Sequence, residues 1–78
     1  MENRYVYNGQ DITTDIIMKI ENVVNLIAAR QADDFEKAYR DFLESKAYVA
    51  LRTPESLMWA ESAEFIVDEY YAERNTGN

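Results

Sequence analysis

Two glycines and one proline in 78 residues leave this chain with almost none of the punctuation that a series of short strands requires. That scarcity points to helices joined by tight connections. Apolar residues make up 47% of the sequence, including one Trp, six Tyr and three Phe, which is enough for a packed core rather than a disordered chain. A chain of this length forms one domain, burying roughly 60–65% of the surface its unfolded form exposes. The expected fold is all-α: a compact bundle of three main helices plus a short helical turn, preceded by an extended N-terminal arm. Linkers of a few residues favour antiparallel neighbours.

The arm covers residues 1–12. Within it Tyr5-Val6-Tyr7 reads as a short extended piece, and Asn8-Gly9 as a turn. With no second strand evident at hairpin distance, its pairing partner is expected to be distant or intermolecular. Helix 1 spans 13–31, started by Thr13 or Thr14 as cap with Asp15 near the positive end of the macrodipole. Its stripe is Ile16, Ile17, Ile20, Val23, Val24 and Ile27, within about 120° at helical spacing. Helix 2 spans 33–44, capped by Asp33 or Asp34, with Phe35, Ala38, Tyr39, Phe42 and Leu43 as its apolar stripe. A short helix over 46–52 turns Tyr48, Val49 and Leu51 inward.

Thr53-Pro54-Glu55 marks the sharpest boundary, a cap followed by Pro at the first helical position and an acid. Helix 3 is accordingly expected over 54–73, with a frayed tail at 74–78. Trp59, Ala63, Ile66, Val67 and Tyr70 lie on one side of it, and Met58, Ser62 and Phe65 widen that face.

Charge adds a second constraint. Eight Lys and Arg against fifteen Asp and Glu give −7, and −5 of it falls in residues 53–78, where six acids meet only Arg74. Such a balance disfavours direct contact with nucleic-acid backbones and anionic membranes. A helix-turn-helix reading fails because its recognition helix would be acidic. On helix 3, Glu61, Glu64 and Asp68 recur at spacings of three and four, extended by Glu55, Glu69 and Glu73. Like charges at that spacing cost about 0.2–0.5 kcal/mol per pair. The stripe is either a solvated face or an electrostatic footprint for a basic partner.

Catalysis finds little support. There is no Cys and no His, hence no thiolate nucleophile, no Ser-His-Asp triad, no imidazole ligand and no disulfide. Carboxylate pairs need a cleft that shifts one pKa, and Asp33-Asp34-Phe35-Glu36 lacks the calcium-loop pattern. The expectation is no catalytic residue, no metal site and no cofactor. No apolar run reaches the ~20 residues of a membrane span, and Met1-Glu2-Asn3-Arg4 lacks a signal-peptide pattern. A soluble, cytoplasmic protein is expected.

Most aromatics fit the helical stripes as core. Tyr5, Tyr7 and Tyr71 fit less readily, and Leu57 and Leu26 project off the main stripes. Tyr is favoured at interfaces for its large contact area at low entropy cost.

The stretch from Ser45 to Tyr70, about a third of the chain, resembles the C-terminal half of a group of short, uncharacterised bacterial helical proteins. Tyr48 and Leu51 in a short turn are followed by a capped helix bearing Ser62, Phe65, Ile66 and Asp68. Members resemble small accessory or antitoxin-like partners of larger proteins, some paired with an ADP-ribosyltransferase-like toxin. The N-terminal arm departs from the pattern, and no catalytic residue carries over.

Together these readings lead to a non-enzymatic acidic module, antitoxin-like or accessory, of bacterial or phage character. It would dock on a basic protein surface through Glu61, Glu64 and Asp68, with Tyr71, Leu57, Trp59, Tyr5 and Tyr7 as contact residues. Two alternatives stay open. One is a phage-encoded inhibitor mimicking nucleic-acid charge; the other is a structural homodimer.

Overall fold

A computed structural model describes residues 5–75. Its order is β1 (Val6–Tyr7), β2 (Gln10–Asp11), α1 (Thr13–Gln31), α2 (Phe35–Leu43) and α3 (Lys46–Leu51). Two 3-10 turns follow, Pro54–Ser56 and Met58–Ala60, and then α4 (Ala63–Asn75). The architecture is an all-α bundle of three main helices, with α3 as the short one and the N-terminal segment laid alongside.

Core formation follows the periodic apolar positions. Val23, Val24 and Ile27 of α1 meet Ala38 and Phe42 of α2, Ala47 and Leu51 of α3, and Ile66, Val67 and Tyr70 of α4. Phe42 sits at the centre, its ring edge-on to both Tyr48 at 5.7 Å and Tyr70 at 5.8 Å. Such aromatic geometry adds about 0.5–1.5 kcal/mol per pair beyond the area buried. Ala63 lies beside Asn22 and Leu26, and Arg30 covers the Tyr71 ring, so α4 runs parallel to α1. The return path is supplied by α2, α3 and the 3-10 turns. Short connections alone had suggested antiparallel neighbours throughout.

Several local expectations are corrected. The extended piece does have a partner in hairpin range: Val6 pairs with Asp11 and Tyr7 with Gln10. Asn8 and Gly9 turn the chain with φ of 52° and 80°, the double positive φ of a type I′ turn. The arm is thus a hairpin held to its own chain. Neither Thr13 nor Thr14 caps α1. Ile12 occupies the cap position without a side-chain bond, the Asp11 carboxylate accepts from Thr13 N–H at 3.0 Å, and Thr13 Oγ1 accepts from Tyr5 N–H at 2.9 Å. At α2 the expected cap holds, with Asp34 accepting from Lys37 N–H at 2.9 Å.

Helix 3 does not run over 54–73. The Pro54 turn stops at Leu57, whose φ is 63°, an uncommon conformation for a branched side chain. Thr53 Oγ1 donates back to the Val49 carbonyl at 2.7 Å instead of capping. Trp59 Nε1 donates to the Pro54 carbonyl at 2.8 Å, and Tyr7 meets the Trp59 ring edge-on at 5.8 Å. These contacts place Trp59 against the hairpin, while it also packs on the edge of the core. The helix starts afresh at Ser62, whose Oγ accepts from Phe65 N–H at 3.1 Å. At its far end Arg74 and Asn75 are helical, so the tail does not begin at 74. Residues 1–4 of the arm and 76–78 of the tail lie outside the described residues.

The apolar stripes are also narrower than their periodicity implied. Ile17, Phe35, Tyr39, Val49 and Phe65 are exposed. A wheel shows which side of a helix is apolar; how much of that side is covered depends on the neighbour packed against it.

Candidate functional site

The acidic residues of the C-terminal third occupy three different settings. Glu64 and Asp68 are exposed, four residues apart on one side of α4. Glu61 is exposed in the bend before α4, and its backbone carbonyl accepts from Lys19 Nζ. The three carboxylates therefore do not form one helical stripe, although Glu61 stands close to the helix start. Glu73 has a structural task. Its Oε2 accepts from Lys46 N–H at 2.8 Å and its Oε1 from Ala47 N–H at 3.1 Å. A carboxylate of α4 thus closes the first turn of α3, where free N–H groups favour negative charge. Ser45 completes that turn by accepting from Tyr48 N–H at 3.1 Å.

Helix α2 handles charge differently. Lys37 Nζ contacts Asp41 at 3.1 Å and Arg40 contacts Glu36 at 3.7 Å, both at i, i+4 spacing. Asp41 raises the Lys37 pKa, first through the hydrogen bond and then through its charge. Among the described residues no Lys or Arg forms such a pair with Glu64, Asp68 or Glu69.

The expected aromatic contact residues are largely used by the fold. Tyr71 is half-buried against the core. Its ring meets Tyr70 edge-on at 5.2 Å and lies under the Arg30 guanidinium at 5.0 Å. Trp59 is half-buried between Pro54 and Tyr7. Half-buried Tyr5 anchors the hairpin, its carbonyl accepting from Ile12 N–H at 2.7 Å. Leu57 alone of the expected apolar anchors is exposed, at 43%.

An exposed aromatic does stand among the acids, and sequence reasoning assigned it to the core. Phe65 is 41% exposed and lies between Glu64 and Asp68 in sequence. Its membership of the apolar stripe was visible, but that α3 leaves it uncovered was not. Buried Tyr70 behaves as a core phenol. Burial raises its pKa above the ordinary value near 10, and nearby Arg74 partly offsets this, donating from Nη1 to the hydroxyl at 3.0 Å.

Among the described residues no group of three or more His, Cys, Asp or Glu side chains could hold a metal ion. No helix among them is long and apolar enough to cross a membrane. The grooves on the surface are open to solvent. No family model matches the chain, and neither the curated proteins nor the solved structures give a match.

Proposed function

We propose that this chain is a non-enzymatic protein-binding module, antitoxin-like or accessory, that docks on a basic surface of a protein partner. The observation that carries the reading is the exposed Glu64–Asp68 pair of α4. It has no ion-pair partner within the described chain, while both acids in α2 are paired. A purely solubilising face mixes signs; like charges four apart weaken their own helix slightly. Opposite charge on a partner turns that repulsion into attraction, and accelerates encounter through long-range steering.

The reading is tested by reversing the charges with Glu61→Lys, Glu64→Lys and Asp68→Lys and comparing pull-downs across a salt series. Loss of a partner whose capture weakens with salt supports it. Capture with unchanged salt sensitivity refutes it.

A second reading, the homodimer, draws on a different region. Ile17, Phe35 and Tyr39 flank one open groove between α1 and α2, and all three are exposed. Sedimentation at micromolar concentration separates the two, since a monomer removes the dimer.

A further inference from the structure

The groove between α3 and α4 carries a more specific reading than charge alone. Its floor is apolar: Ala47 and Ala50 of α3, Met58 of the second 3-10 turn, and Ala72 of α4. Phe65, Glu69 and Ala72 are separated by four and three residues, so they share one strip of α4. Phe65 prolongs the α4 bank of the groove by one turn. On the opposite bank Val49, 49% exposed, stands three residues from Lys46, which lines the groove.

Carboxylates border this apolar track. Glu69 lines the groove itself, and Glu64 and Asp68 lie on the other flank of Phe65 at helical angles of about 100° and 60° from it. At the far end Lys46 and Glu73 face the same groove, and Glu73 is engaged by the start of α3. The α4 bank is therefore negative on both sides of an exposed aromatic ring, while the α3 bank carries Lys46 and no acid.

We infer that the α3–α4 groove accepts one amphipathic helix of a protein partner, its apolar side on Phe65, Met58 and Ala72 and its flanks carrying Lys or Arg. The inference rests on the acidic-docking reading and adds the shape of what docks. Helices recognised in grooves present anchors at i, i+3 or i+4 and i+7, matching a track of one or two turns. A second copy of this chain fits poorly, because a two-fold pairing through this face brings the acidic patch of Glu64, Asp68 and Glu69 on one copy against the same patch on the other. An anionic membrane surface is repelled by the same rim.

The probe is a synthetic helical peptide with Leu along one side and Lys on both flanks, compared with the same peptide carrying Glu in place of Lys. Binding to the full chain is followed by amide chemical shifts and titration. The Lys-flanked peptide is expected to bind, to shift amides around Ala50, Phe65 and Ala72, and to outcompete its Glu counterpart. Phe65→Ser should weaken it roughly tenfold or more, as truncation of an interface anchor does. Phe35→Ser, at the separate groove between α1 and α2, should leave it unchanged. Both positions are exposed, so both variants are expected to fold, with circular dichroism as the check.

Absence of binding, or shifts confined to α1 and α2, overturns the inference. Should Asp68→Lys with Glu69→Lys weaken binding while Phe65→Ser and Val49→Ser do not, the groove is refuted and acidic docking survives. Binding indifferent to the charge reversals refutes both.

Discussion

Helices α2 and α4 start from related material and reach different ends. Each begins with a side-chain cap, Asp34 for α2 and Ser62 for α4, and each has an acid in its first turn and a base in its last. Along α2 the signs alternate at i, i+4, so its charges pair within the helix. Its exposed aromatics also satisfy each other, Phe35 stacking on Tyr39 at 5.9 Å. Along α4 the acids Glu64, Asp68, Glu69 and Glu73 face a single base, Arg74. One of the four secures α3, and the other three face outward around Phe65. The contrast teaches that a helix can be complete in itself, or complete only against something else.

Four experiments can break or sharpen that contrast. The largest effect is expected at the two phenylalanines that helical spacing treats alike. Phe42→Ala empties the centre of the core and should cost about 3–5 kcal/mol; Phe65→Ala should cost well under half of that. Urea unfolding of both variants measures the gap, and equal losses would mean that Phe65 is core.

Next come the acids of α4. Glu73→Ala removes two acceptors from the N–H groups that open α3 and should destabilise by about 1–2 kcal/mol. Asp68→Ala should change stability by less than about 0.5 kcal/mol. Indistinguishable midpoints would remove the structural role of Glu73.

Alkaline titration probes the inner side of α4. Because the folded Tyr70 pKa is raised by burial, the native state holds that proton more tightly than the unfolded chain. The associated stability is fully present below the unfolded value near 10 and is lost as pH rises through the folded value. Urea midpoints should fall in that range, and less steeply in Tyr70→Phe. A parallel decline in both proteins would assign the effect elsewhere.

The smallest effect is electrostatic. Asp68→Lys puts a base four residues after Glu64, the favoured orientation, and should stabilise α4 by about 0.3–0.5 kcal/mol. Lys37→Glu should instead destabilise α2 by breaking its pair. If both substitutions lower the thermal midpoint, the outward acids have an intramolecular use.

How far the fold could be read in advance differs by residue. Asp34 was legible as a cap because capping is a contact within one turn. Ile16, Val23, Val24 and Ile27 were legible as core because they recur at helical spacing on one apolar stripe. Ile17, at the edge, was not, since burial there depends on where α2 lies. Asn8-Gly9 was legible as a turn, yet the strand after it is only Gln10–Asp11, polar and too short to show alternation. At Thr53-Pro54-Glu55 the local start signal was real but led into one 3-10 turn, because Trp59 found partners in Pro54 and Tyr7. The candidate site shared that fate. Exposure of Glu64 and Asp68 matched their positions opposite the apolar stripe, while Tyr71 and Trp59 were taken up by Arg30, Tyr70 and the hairpin.

What the residues alone determined is the class of fold, the concentration of negative charge after residue 52, and the lack of imidazole and thiol chemistry. Those follow from composition and from periodicities within a few turns. Only the tertiary structure decided that Glu73 caps α3, that α4 runs parallel to α1, and that Phe65 stands open among acids. Each depends on residues far apart in the chain, Lys46 and Glu73 by 27 positions, and no local rule specifies which distant surface will cover a given side chain.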